Sequence, residues 1–249
     1  MQQLDVVIPL GPKDEDMINR CIRSVRDHVV GVRNIYVISK NTVDLSGAAF
    51  INENVFPFSY EYVVSKTSEA KAGWYLQQLL KFYAPLFITN ILENVLIVDA
   101  DTVFNKRTKF LDNGKQLYDR VMEPSHQPYL DHMLKLHPSF TQWKKNTSGI
   151  TNVMLFNRKV LLELIERVED HHKTDFWDAF LDSVILKIGS GASEYEIYFN
   201  YVMNNKQDLV RVRPLQWNNH GQRNDPRDAG DWNYINYHHH QQIKPRGFR

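Results

Sequence analysis

The run Val95-Leu96-Ile97-Val98 passes without a break into Asp99, Ala100 and Asp101, and it limits the fold more than any other stretch of the chain. Four consecutive branched apolar residues offer no polar face to water. They predict a strand covered on both sides, as in a parallel sheet held between helices. Two carboxylates one residue apart at the end of such a strand repel each other unless a cation or a solvent opening offsets the repulsion. An Asp-Ala-Asp alone also serves as a turn, but after this apolar run it marks a polar site at the edge of a buried sheet.

The rest of the chain supplies the layers. Residues 5–10 read as a first strand, stopped by Gly11 and Pro12, and Met17, Ile18, Cys21, Ile22 and Val25 recur at helical spacing behind it. Residues 34–40 predict a second strand and 61–65 a third. A longer helix covers 68–83, with Leu76, Leu79, Leu80 and Tyr83 as its apolar stripe. After the strand at 94–98 the pattern gives a β segment at 104–110, a helix at 129–136 and a strand at 151–156. A helix carrying Leu161, Leu164, Ile165 and Val168 comes next, then a helix at 193–202, a strand at 210–215 and an extended aromatic segment at 232–240. Residues 218–231, rich in Asn, Gly, Arg and Asp, predict a loop over a site. Strands alternating with helices define an α/β fold with a largely parallel sheet. No repeat or linker divides it, so residues 1–249 read as one domain with two subregions, one to about residue 104 and one from about 105.

Composition narrows the partners. Hydrophobic residues make up 43% and charged residues 24%, which excludes a disordered chain. Thirty Lys and Arg against 29 Asp and Glu leave a net charge of +1, too little for a whole-surface grip on nucleic acid or an anionic membrane. Any anion must be held locally. The single cysteine, Cys21, reads as a core filler and suits a reducing compartment. No apolar run approaches the length of a membrane span and no export signal opens the chain, so the expectation is a cytoplasmic protein with no transmembrane segment.

The strand and its acids, about a hundred residues after an N-terminal Val6-Val7-Ile8-Pro9 strand, resemble the D-x-D signature of GT-A glycosyltransferases. More closely, the chain resembles small glycosyltransferases of bacterial surface-polysaccharide clusters and of large algal (chlorella) viruses. The supporting stretches are 73–81 (GWYLQQLLK), 149–154 (GITNVM) and 193–196 (SEYE). The resemblance implies a GT-A, Rossmann-like fold with a central mixed, mostly parallel sheet flanked by helices. It also implies metal-dependent transfer of a sugar from a nucleoside diphosphate donor, usually a UDP-sugar, to a glycan or polysaccharide acceptor hydroxyl. On that pattern Ile8, Pro9 and Leu10 hold the base, Asp99, Ala100 and Asp101 meet the ribose and the metal, and a C-terminal histidine completes the ligand set. In an extended segment His238 and His240 share one face and His239 takes the other. An imidazole beside two carboxylates shifts preference from Mg2+ toward Mn2+.

Further candidates cluster around these. Ser193 and Glu196 have capping-box spacing. Glu194, in the same first turn, is the candidate to take the acceptor proton in an inverting enzyme or to hold sugar hydroxyls in a retaining one, and Glu196 is the second catalytic candidate. Trp74, Gln77 and Lys81 share a helix face that could form a donor-sugar platform, with Lys71 countering phosphate charge. For Lys81 the bland alternative is a solvated stem. Gly149, Thr151, Asn152, Trp217 and Asn218, with Asn219, stand as acceptor-side residues. Two rivals use the same residues. A haloacid-dehalogenase-type phosphatase would make Asp99 a nucleophile and Asp101 an acid-base, although its motif opens the first strand of its domain. A glycan-binding domain would keep the fold without turnover.

Overall fold

In the computed structural model residues 2–123, 125–186, 190–219 and 231–238 are described. Strand β1 (Leu4–Pro9) is buried along its whole length. Helix α1 (Ile18–His28) lays Ile18, Cys21, Ile22 and Val25 into the core, and β2 (Val32–Ser39) and β3 (Ala49–Asn52) follow. Helices α2 (Tyr60–Lys66) and α3 (Glu69–Phe87) lead to β4 (Asn94–Val98). Three short strands, β5 (Thr102–Phe104), β6 (Leu111–Asp112) and β7 (Lys115–Tyr118), precede α4 (Gln127–Leu136). The chain then forms β8 (Val153–Asn157), α5 (Arg158–His172), α6 (Phe176–Asp182) and α7 (Glu194–Asn205), and ends in β9 (Val210–Val212), β10 (Trp217–Asn218) and β11 (Tyr234–Asn236).

The central sheet has the order β3-β2-β1-β4-β8. All neighbours are parallel except β8, which runs antiparallel to β4. From β1 the chain crosses to β2 on one side, then returns to β4 on the other. The carboxyl ends of β1 and β4 therefore diverge, which opens a crevice at the topological switch point. Their register, Val7 opposite Ile97, brings Asp99 to the level of Pro9. A smaller sheet, β10-β11-β5, stands beside this edge, with β11 antiparallel to β5. One core cluster extends from Leu4 to Tyr234. Among the described residues no helix is long and apolar enough to cross a membrane.

The α/β architecture and mostly parallel sheet agree with the sequence reading, and several elements differ. Residues 61–65 form part of α2. Its first turn is capped by Ser59, whose hydroxyl accepts from the Tyr62 amide at 3.1 Å, and Val63 packs inward, so the cap and one buried face override the β preference of Val63 and Val64. The third strand is Ala49–Asn52, an edge strand with no fully buried residue. Helix α3 continues to Phe87 through Pro85. The β segment expected at 104–110 lies at 102–104, and the strand expected at 210–215 ends at Val212. Within 232–240 only 234–236 is strand among the described residues. Most of the loop expected at 218–231 lies outside the described residues, as do His239 and His240.

Candidate active site

The chain leaves β4 in a tight turn. The Asp99 amide donates to the Asn152 carbonyl at 3.1 Å and the Thr102 amide donates back to the Asp99 carbonyl at 3.0 Å. Asn152 fits this corner with a left-handed backbone, φ 59°. The turn carries both aspartates to the switch-point crevice, where their surroundings diverge.

Asp101 is 7% exposed. Its Oδ2 contacts Nδ1 of His238 at 3.0 Å, while Oδ1 is buried with no hydrogen-bond partner among the described residues. A buried carboxylate oxygen without a partner is costly, and in a native fold it points to an ion or water as the missing partner. Strand β11 delivers His238: Thr102 Oγ1 donates to Asn236 Oδ1 at 2.7 Å, and the Tyr237 amide donates to the Asp101 carbonyl at 2.9 Å. The other ring nitrogen of His238 lies 2.6 Å from Asn219 Oδ1, which also accepts from Asn152 Nδ2 at 2.9 Å. Burial disfavours the charged imidazole, but the hydrogen bond and charge of Asp101 outweigh it and raise the His238 pKa. A divalent cation and that proton are alternatives at the same ring nitrogen.

Asp99 is held from behind. Lys81, 2% exposed, donates to Asp99 Oδ1 at 2.5 Å and to Glu194 Oε1 at 2.6 Å. The Tyr195 hydroxyl donates to the same Asp99 oxygen at 3.0 Å, and the Lys81 ammonium lies 4.4 Å from the centre of the Tyr195 ring. Burial alone would lower the Lys81 pKa; the two carboxylates more than compensate, and the ammonium is held charged. Gln78, one turn earlier on α3, accepts from the Glu194 amide at 3.1 Å and so fastens the start of α7 to α3.

The other predicted residues divide into those the fold brings to this edge and those it uses internally. Ser193 caps α7 as expected, accepting from the Glu196 amide at 3.3 Å. The reciprocal half of the capping box does not form. The fully buried Glu196 carboxylate accepts instead from Ser148 Oγ (2.7 Å), the Gly149 amide (3.1 Å) and Asn200 Nδ2 (3.2 Å). Gly149 is required for packing, since a Cβ there would lie 2.2 Å from Phe199 Cβ. Thr151 is buried, its hydroxyl on the Val153 carbonyl and its own carbonyl on the Tyr234 hydroxyl. Trp217 stacks on Tyr234 with ring centres 5.7 Å apart, and Asn218 pairs with Ile235 in the small sheet. Asn152 and Asn219 join the His238 network. The side chains of Ile8, Pro9 and Leu10 and the Ala100 methyl are buried, leaving backbone as what that strand end can offer. Trp74 is half-buried beside Tyr75 and Tyr129, with the Lys71 ammonium 5.6 Å from its ring, and Gln77 is half-buried on the same helix. Lys81 corrects the solvated-stem alternative. Gln78 and Tyr195, which flank the Lys81 pair, are the residues that sequence reasoning missed, and for Lys81 it missed the burial. The available signal was two polar residues, Gln78 and Lys81, on the buried side of an apolar helix.

Among the described residues no three His, Cys, Asp or Glu side chains converge as a complete metal site. Asp101 and His238 nevertheless fit a divalent cation as a partial donor set, because one carboxylate oxygen is unpaired and an imidazole nitrogen lies beside the other.

The mostly parallel central sheet flanked by helices matches a glycosyltransferase, Rossmann-like (GT-A-like) fold. The crystal structure of mouse xyloside xylosyltransferase 1, apo form, is similar to this chain with a TM-score of 0.50 and 11% sequence identity, over 98% of this chain and 100% of that one, a likeness of fold alone. The chain belongs to the family of unknown function DUF6492, whose profile matches residues 1–219; Asp99, Asp101 and Glu194 fall within that match and His238 beyond it. No curated protein matches the chain. The phosphatase pattern meets a topological obstacle, because Asp99 follows the fourth strand of the chain and not the first.

Proposed function

We propose that the protein is a metal-dependent glycosyltransferase, acting in the cytoplasm, that moves a sugar from a UDP-sugar donor to a glycan or polysaccharide hydroxyl. The observation that carries this reading is the buried Oδ1 of Asp101, without a partner among the described residues, at the switch-point crevice of a GT-A-like fold. Asp101 and His238 would hold Mn2+ or Mg2+, with His240 outside the described residues as a further candidate. When bound, the ion neutralises the charge that develops on the diphosphate leaving group. Asp99, its Oδ1 fixed by Lys81 and Tyr195, offers its other oxygen to the donor ribose or the ion. Glu194 acts as a positioning residue through Lys81, and the backbone of Ile8, Pro9 and Leu10 borders the base. Trp74, Gln77 and Lys71 form the sugar-side wall.

The test is UDP release from UDP-glucose, UDP-xylose, UDP-galactose and UDP-rhamnose with Mn2+ and with EDTA. At least one donor should be turned over with Mn2+ only, and Asp101→Asn should lose about a hundredfold or more in rate, a loss in the range produced by removing an electrostatic stabiliser of the transition state. Heat stabilisation by UDP and Mn2+ without turnover of any donor would make the chain a binding module. Hydrolysis of phosphate monoesters without UDP binding would make it a phosphatase.

A further inference from the structure

A second polar site lies at the opposite edge of the central sheet. A cavity of about 390 Å³ is lined by Val30, Arg107, Lys109, Arg211, Arg213 and Asn233, among others. Val30 lies two residues before the start of β2, and its neighbour Val29 bridges Thr108, so this cavity opens at the amino ends of the parallel strands. Asp99 and Asp101 follow the carboxyl end of β4.

The lining is unbalanced in charge. It has four cationic side chains and one carboxylate, Asp112, which Arg211 approaches at 2.9 Å and Lys109 at 3.4 Å. Arg107 has no carboxylate partner among the described residues. Arg213 reaches Asp119 through Nε at 3.3 Å, but its Nη2 is buried with no hydrogen-bond partner among the described residues. Burial pushes the Asp119 pKa up to about 6 even with Arg213 beside it, so near neutral pH this carboxylate is mostly ionised and offsets Arg213 alone, leaving the other cations to share Asp112. A chain with a net charge of only +1 thus gathers four cations around one cavity. Such a cluster is stabilised by an anion, and three guanidinium groups favour a phosphate, whose oxygens they can bind in pairs. The volume lies within the range of small-molecule sites and exceeds what one phosphate fills.

We propose that this cavity binds a phosphate group, carried by a sugar or free in solution, at a site separate from the Asp101 crevice. The test is calorimetric titration of the full chain with inorganic phosphate and with glucose 1-phosphate, in EDTA, against chloride at matched ionic strength. Both phosphates should bind where chloride does not. Arg107→Gln combined with Lys109→Gln, two exposed positions, should weaken binding at least about tenfold, whereas Asp101→Asn should leave it unchanged. Tighter binding of glucose 1-phosphate by about tenfold identifies a sugar phosphate as the ligand, and equal affinities identify phosphate itself. Unaltered binding in the double variant, loss of binding in Asp101→Asn, or no binding by the unmodified chain at about 10 mM would overturn the proposal.

Discussion

Asp5 and Asp101 are both nearly inaccessible, yet they stand at opposite edges of the same sheet and in opposite chemical states. Asp5, at the start of β1, receives Arg33 Nε at 3.0 Å and Nη2 at 2.5 Å, the Asn34 amide at 3.1 Å and the Leu92 amide at 2.8 Å, so both of its oxygens are filled. It ties β1 to β2 and to the approach of β4. Asp101 keeps one oxygen unpaired among the described residues, beside a histidine that a separate strand delivers. A buried acid whose oxygens are all satisfied is part of the framework; one left unsatisfied at a switch point is part of a site.

The contrast can be broken at either end. Asp5→Ala should cost the most, about 3–5 kcal/mol, because it strands Arg33 and two backbone amides; a urea midpoint equivalent to a loss under about 1 kcal/mol would remove Asp5 from the framework. Lys81→Met should follow at about 3 kcal/mol, since it leaves the Asp99 and Glu194 carboxylates facing each other without a counter-charge. Adding Glu194→Gln should recover part of that loss, and a double variant no more stable than the single one would show that the pair does not act through Lys81.

Histidines divide in the same way. His132 is fully buried, with Nε2 2.9 Å from the Phe180 carbonyl, and burial drives its pKa down to about 4. It is neutral in the fold and ionises at about 6.5 in the unfolded chain, so stability is complete above pH 6.5 and is lost as pH falls toward 4, by about 3 kcal/mol in total. The urea midpoints at neutral and acid pH should therefore differ less for His132→Leu than for the unmodified chain; an equal difference in the two would contradict the shift. The smallest expected effect on stability is that of Asp101→Asn, within about 1 kcal/mol, because that position contributes little to the framework.

The sequence made β4 and its acids legible because a four-residue apolar run with two terminal carboxylates has few folded solutions. It hid β3, since Ala49-Phe50-Ile51-Asn52 is a short, half-exposed edge with no alternation to read. Residues 61–65 misled through two β-branched valines, where Ser59 and the burial of Val63 decide for helix. At the site, Ser193 was readable as a cap from local spacing, whereas Lys81 was not readable as buried. The carboxylate that helps justify its burial, Glu194, lies 113 residues away, beyond any local pattern. His238 was accessible through the two-residue repeat of an extended segment, but its Asn219 and Asn152 partners depend on three separate strand ends meeting.

Calorimetry of UDP binding to the full chain and to Asp101→Asn, each with Mn2+ and with EDTA, addresses the role of Asp101 most directly. The unmodified chain should bind UDP at least about tenfold more tightly with Mn2+, and Asp101→Asn should lose that gain while unfolding at nearly the same urea concentration. UDP affinity indifferent to Mn2+, or a metal-dependent gain that survives in Asp101→Asn, would contradict the assignment of that unpaired oxygen to a cation and a nucleotide diphosphate.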